Sequence, residues 1–278
     1  MTEKELLAQN PWIEVAKMYN SDEEDCLYSK TRQYVYSSDL SEIEKYNSKL
    51  ALNDTDRIIT NIPAEPWSGN PLTANLIILS LNPGYVPEVN KTLALLLQSN
   101  KQIRKNIIEF KRDTLLLKAK SSIPKDDKGK PISCRDAVNM LGDWYWYKKL
   151  KQLKDDVGLD DYTFFSKIAL IEFHGYSSIT SNRSFPLGKI YLESQLFTKR
   201  MIQYIVQRDD VVFLIMRSKK KWTDFLGEGF INEYENKFVI KDNKGMSQSI
   251  TQDNLDGKNN SNGNKYQKLK DIFKQEKP

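Results

Sequence analysis

The run Leu76-Ile77-Ile78-Leu79-Ser80-Leu81 has no regular polar alternation and stops abruptly at Asn82-Pro83-Gly84-Tyr85. An apolar run of this length fits a parallel strand covered on both faces, because a half-exposed strand would alternate. Such a strand requires helices on either side. Pro83 has no N–H for a ladder, Gly84 permits a tight reversal, and Asn82 is left at the strand's carboxyl end. In open α/β sheets that end is where ligands bind, although a buried strand closing on Asn-Pro-Gly is equally a well-made turn.

Three further apolar runs follow. Residues 167–173 end in Glu172-Phe173-His174-Gly175-Tyr176. Residues 211–216 run straight into Arg217-Ser218-Lys219-Lys220-Lys221-Trp222, and residues 237–240 precede a polar loop. Helical periodicity covers residues 3–19, with a break at Asn10-Pro11, and then residues 40–52, 92–120, 133–153, 191–207 and 266–273. Strands separated by helical crossovers predict a three-layer α/β/α sandwich around a mostly parallel four-stranded sheet. No Gly/Ser/Pro-rich linker interrupts the chain, so residues 1–60 read as a helical layer packed on residues 61–278, within a single domain.

At 278 residues and 39% hydrophobic content, the chain can bury one large core. No window approaches a membrane span and the amino terminus lacks signal-peptide character, which points to the cytoplasm. Cys26 and Cys134 stand far apart with no C-x-x-C partner, so neither a disulfide framework nor a zinc or iron–sulfur site is expected. Charge is unevenly spread: residues 1–60 carry 7 Lys and Arg against 12 Asp and Glu, and the remainder carries 35 against 25. A basic body with an acidic leading segment is compatible with a polyanionic partner. Trp144-Tyr145-Trp146-Tyr147 cannot all share one helix face, so at least one ring should line a groove or remain exposed.

Ser80-Leu81-Asn82-Pro83-Gly84 resembles the first motif of the uracil-DNA glycosylase superfamily, in the Gly-Ile-Asn-Pro-Gly form of its mismatch-specific branch. Ser80 replaces the first glycine. The 211–215 strand is similar to the family's penultimate strand. The resemblance implies a monofunctional DNA N-glycosylase that flips a pyrimidine from the stack and leaves an abasic site, with no metal and no cofactor. It implies that Asn82 holds the attacking water and that Pro83, Gly84 and Tyr85 shape the pocket. Glu172 takes the base-reading position, which is commonly Asn. The family's second motif falls on residues 242–247 or, after a small shift, on residues 247–251, which brings in Ser247 and Ser249; its histidine is absent. The one histidine of the chain, His174, is then a candidate donor to the departing base. Asn70, Arg217, Ser218, Lys219, Lys220 and Lys221 are expected at the DNA, with Arg183 in a nearby polar loop. The partner implied is duplex DNA with a flipped base, or single-stranded DNA, bound by a monomer.

The chemistry asked of these residues is coherent. Breaking an N-glycosidic bond develops positive charge on the sugar and negative charge on the base, so a positioned water and a stabilised leaving group matter more than a strong base. Gly84 leaves room beside a pyrimidine C5. An ionised Glu172 is acceptor-only and suits the exocyclic amine of cytosine, although a salt bridge to a nearby Arg or Lys explains it as well. A C5-modified pyrimidine follows as substrate, in repair or in defence against modified phage DNA. Three other classes remain open: a catalytically inactive nucleic-acid-binding module of the same fold, a nucleotide-binding α/β enzyme, disfavoured because no strand is followed by G-x-G-x-x-G or G-x-x-x-x-G-K-[ST], and a protein-interaction scaffold presenting exposed aromatics.

Overall fold

The computed structural model describes residues 1–19, 32–85, 101–120, 145–180, 185, 191–240, 249–257 and 264–274. Both cysteines, Trp144, Arg183 and Ser247 lie outside the described residues, as do the first turns expected of the helices beginning near residues 92 and 133. In chain order the elements begin with helices α1 (Glu3–Ala8), α2 (Trp12–Ala16) and α3 (Leu40–Asn47). Strands β1 (Trp67–Ser68) and β2 (Leu76–Leu79), helices α4 (Lys101–Leu115), α5 (Tyr145–Val157) and α6 (Asp161–Ser166), and strand β3 (Ile168–Ile171) follow. The carboxyl half comprises α7 (Glu193–Ile205), β4 (Val212–Ile215), α8 (Lys219–Leu226), α9 (Glu228–Glu233), β5 (Phe238–Ile240), α10 (Gln252–Asp256) and α11 (Lys265–Lys274). No helix among the described residues is long and apolar enough to cross a membrane.

The sheet corrects the expected sandwich around four strands. It is a five-stranded mixed sheet of order β1-β3-β2-β4-β5. The pairs β2–β3, β2–β4 and β4–β5 are parallel, while β1 lies antiparallel on the outer edge of β3. A two-residue strand shows no periodicity, so nothing in the sequence marks β1. Its place is fixed by Trp67 instead. The indole is buried, donates from Nε1 to the Thr114 carbonyl at 2.6 Å, and meets Trp12 edge-on at 6.2 Å. A tryptophan anchored this way holds a short edge that its own ladder could not.

β2, β3 and β4 are buried at every position. Alternate residues enter two separate apolar clusters. Ile77, Leu79, Ala169, Ile171, Phe213 and Ile215 pack with residues of α1, α2, α4, α7 and α8. Leu76, Ile78, Ile168, Leu170, Val212 and Leu214 pack with residues of α5, α6, α10 and α11. The uniform apolarity of the strands follows from this double burial.

Residues of the leading segment share the first of these cores. Trp12, Tyr34, Ile43 and Tyr46 are buried within it. Asp39, fully buried, accepts the Tyr176 hydroxyl at 2.7 Å on Oδ2 and the Ser194 backbone N–H, in the first turn of α7, at 3.3 Å on Oδ1. Burial raises the Asp39 pKa, and the hydrogen bonds from Ser194 and Tyr176 oppose that rise. This network joins α3, the chain beyond β3, and the start of α7. Tyr176→Phe leaves a carboxylate oxygen of Asp39 unpaired in the core and should lower unfolding free energy by about 1–3 kcal/mol in urea titration. An unchanged midpoint would show that the network contributes nothing.

Candidate functional site at the carboxyl ends of β2, β3 and β4

Leu79 pairs with Ile171 on one side and with Ile215 on the other. Carrying that register one step outward places Ser80 between Glu172 and Met216, and Asn82, His174 and Ser218 two residues further on. The ladder itself continues: Ser80 N–H donates to Ile171 at 2.9 Å, Met216 N–H to Leu79 at 3.0 Å, and His174 N–H to Leu81 at 3.3 Å. Three strand ends therefore open onto one edge of the sheet.

The expected reversal at Gly84 does not occur. Gly84 forms a parallel bridge with Ser178, its φ is not positive, and the Tyr85 N–H donates to the Ser178 carbonyl at 3.1 Å. The chain resumes its course beside the segment leaving β3. Pro83, lacking an N–H, accounts for the interruption between the two paired stretches. Pro83 is buried and Tyr85 half-buried, and a methyl group built on Gly84 would meet nothing within 4 Å among the described residues.

Asn82 is buried inside that interruption. Its Nδ2 donates to the Pro83 carbonyl at 3.2 Å and to Ser178 Oγ at 3.0 Å, and Ser178 Oγ donates onward to the Thr180 carbonyl at 2.6 Å. The Pro83 carbonyl can only accept, so the amide nitrogen must face it and the orientation of the side chain is dictated. Asn82 Oδ1 accepts no hydrogen bond from the described residues.

Glu172 is 9% exposed, and its Oε2 is buried without a hydrogen-bond partner among the described residues. Loss of hydration pushes its pKa up to about 7; the Ser80 hydroxyl and the Arg217 guanidinium oppose that rise and Glu65 adds to it. Glu65 is itself ion-paired with Lys111. Its backbone N–H donates to the Gly175 carbonyl at 2.8 Å, and the neighbouring Pro66 carbonyl accepts from the Glu172 N–H at 2.9 Å. Gly175 is the close approach that allows this. A Cβ there would lie 2.8 Å from the Trp12 ring and 2.9 Å from Pro66 Cα.

His174 is 1% exposed, and neither ring nitrogen reaches a hydrogen-bond partner among the described residues. Its ring stands edge-on to Phe185 at 5.0 Å. Burial first, and then the Lys221 ammonium, hold its pKa down to about 3, with a weak opposing influence from the Tyr176 backbone. At neutral pH it is an uncharged imidazole with one donor and one acceptor.

The basic run does not form a uniform rim. Lys221 turns inward: Nζ donates to the Phe185 carbonyl at 2.8 Å and lies 5.2 Å from the Phe173 ring centroid, and burial pushes its pKa down to about 8. Lys220 is exposed but paired with Asp224 at 2.7 Å one turn along α8, while Lys219 is exposed at the start of that helix. Ser218 adopts a left-handed conformation (φ 54°) and accepts the Trp222 N–H at 3.1 Å. Trp222 Nε1 in turn donates to the Ser80 carbonyl at 2.7 Å, which ties α8 to the end of β2.

One expected contact falls elsewhere. Asn70 lies toward the amino-terminal end of β2, because β1 runs antiparallel to β3 and has carried the chain to the opposite edge. Its amide is occupied by Leu117, at 2.7 Å from Nδ2, and by Leu72, at 3.0 Å from Oδ1. The Ser249 carbonyl accepts from Asn254 at 2.9 Å, beside Ile250, which is buried in the cluster of α5 and α11. Ser178 and Glu65, by contrast, belong to the site and carry no sequence signal, since each reaches it through a long-range backbone pairing.

Comparisons of the chain with protein-family models, curated proteins and solved structures return no match.

The Glu172 carboxyl has a direct consequence for stability. Its pKa is higher in the folded chain, about 7, than the ordinary 4.5, so its contribution is complete below pH 4.5 and is lost as pH rises through about 7. Glu172→Gln should therefore stabilise the protein at alkaline pH by up to about 3 kcal/mol and show little gain near pH 4. Thermal midpoints measured across pH test this. A gain that is the same at every pH would contradict it.

Proposed function

We propose that the chain is a monofunctional DNA glycosylase that hydrolyses the bond between deoxyribose C1′ and a pyrimidine bearing a C5 substituent. The observation that carries this reading is Asn82: its nitrogen is committed on both sides, and its oxygen is presented as a lone acceptor at the end of a buried strand. Such a carbonyl accepts one proton of a water and aims the water's lone pair without deprotonating it. That suffices for a reaction in which the glycosidic bond is largely broken before the nucleophile arrives. The likeness of Ser80-Leu81-Asn82-Pro83-Gly84 to the mismatch-specific glycosylase motif supports the same assignment.

In this mechanism the departing base takes the bonding electrons and the neutral His174 imidazole is the candidate donor to it. Water adds its oxygen to C1′ and gives up a proton to solvent, and the released base anion, hydrogen-bonded by the His174 N–H that stays on the ring, takes a proton from solvent, leaving an abasic sugar. A neutral imidazole suits this role, since a donor that stays uncharged at neutral pH avoids the larger cost of burying a charge. The open space at Gly84 accommodates a C5 substituent. The exposed start of α8, with Lys219 and Lys220, is the surface at which the basic run would meet phosphates, and DNA is the partner.

Asn82→Ala should lower base release from oligonucleotides carrying C5-substituted pyrimidines by at least about 100-fold, with DNA affinity nearly retained, because the lost interaction acts in the transition state. Alkaline cleavage of abasic sites reads the result. Release equal to wild type on every substrate would overturn the assignment. Gly84→Tyr, where a Cβ meets nothing within 4 Å among the described residues, should exclude C5-substituted bases while affecting an unsubstituted pyrimidine less.

A further inference from the structure

Lys221 differs from its neighbours in the basic run. Lys219 and Lys220 are exposed and Lys220 is paired with Asp224, whereas Lys221 is half-buried and pairs with no carboxylate among the described residues. Its Nζ donates to the Phe185 carbonyl and lies over the Phe173 ring. Two bonds fix where this head group sits. Trp222, next in the chain, donates from Nε1 to the Ser80 carbonyl, and the His174 N–H donates to the Leu81 carbonyl, so the start of α8 and the segment leaving β3 both close on the residues just before Asn82. The His174 ring, with neither nitrogen hydrogen-bonded among the described residues, stands against the same Phe185. An amine lodged among aromatic rings, with no anion to keep it charged, has the surroundings of a nucleophile rather than of a phosphate clamp.

We propose that Lys221 forms a reversible imine with the ring-opened aldehyde of an abasic deoxyribose, holding the product of base release at this edge of the sheet. That the aldehyde is a sugar C1′ rests on the function proposed above. The Nζ lone pair adds to C1′, the two N–H protons pass to the aldehyde oxygen, which leaves as water, and a C=N bond joins the side chain to the sugar. Hydrolysis returns both partners unbroken, so no strand is cut and the chain remains monofunctional. The four-carbon stem lets the amine leave the Phe185 carbonyl and turn toward the sugar. Burial pushes the Lys221 pKa down to about 8, which keeps part of the amine unprotonated near neutral pH. Lys221 thereby acquires a role apart from the phosphate contact expected from the sequence.

Borohydride reduction of the full chain mixed with a duplex that already carries an abasic site tests the proposal, because it needs no base release. The wild-type chain should yield a cross-link that survives denaturing electrophoresis, and peptide mass spectrometry should place the reduced sugar on Lys221. Lys221→Met should lower the yield at least about 10-fold. Lys199→Met, which removes another half-buried lysine that caps a carbonyl (Phe225, 2.6 Å) and lies over a ring, should trap like the wild type. Lys221→Arg keeps the charge but forms no imine, and it takes the place of the Met variant should that fail to fold. Three results would each overturn the proposal: no cross-link from the wild type, a cross-link mapped to another lysine, or an undiminished yield from a folded Lys221 variant. Base release from C5-substituted oligonucleotides separates the two levels. Release accompanied by any of those three results removes the imine and leaves the glycosylase assignment standing. A cross-link on Lys221 with no release on any substrate retains the imine and removes the glycosylase.

Discussion

A strand covered on both faces has nowhere to place a polar side chain except at its ends, and the parallel pairing of β2 with β3 and β4 brings three such ends to one edge. Each large apolar side chain along these strands contributes about 1.5–3 kcal/mol by burial, so the ladder is held from both sides. Because both faces are apolar, the alternation that usually sets register is missing here. The polar residues just beyond the strands supply what the faces lack. Sliding β3 inward by one position would draw Glu172 opposite Leu79, into the ladder itself, at the cost of burying a carboxyl between apolar layers.

The same packing that fixes the register sets the electrostatics. Glu172 and His174 are both driven toward their uncharged forms by loss of hydration, in opposite pKa directions. Lys221 adds to the effect on His174 from the start of α8, and α8 is held against the end of β2 by the bond from Trp222 to Ser80. The edge thus gathers the Asn82 amide, a Glu172 carboxyl that ionises near pH 7 and a neutral His174 imidazole.

Much of this arrangement is legible in the residues themselves. The apolar runs around Ile78, Leu170 and Leu214 mark buried parallel strands, and Asn82, Glu172 and Arg217 follow each run directly, so their gathering at one edge comes from chain direction alone. What escaped is set by long-range contact. β1 is held by the Trp67 indole on Thr114, and two residues carry no period. Gly84 looks like a turn glycine, yet Ser178, nearly a hundred positions away in the chain, pairs with it and keeps the strand line going. Adjacent lysines 219, 220 and 221 read as one basic rim, but helical geometry sends them in different directions and only Lys221 is directed into the core. Asn70 illustrates the reverse error: a polar residue near the motif in sequence is carried to the far end of the sheet by an antiparallel strand.

The most direct measurement of the account is a crystal structure with duplex DNA containing a 2′-fluorinated, C5-substituted deoxycytidine, in which the electron-withdrawing fluorine slows loss of the base. The account predicts an extruded nucleotide whose base edge meets Glu172 and whose C5 substituent lies beside Gly84, with Asn82 Oδ1 one water away from C1′. A nucleotide left in the stack, or a base seated at the amino-terminal end of the sheet near Asn70, would contradict it.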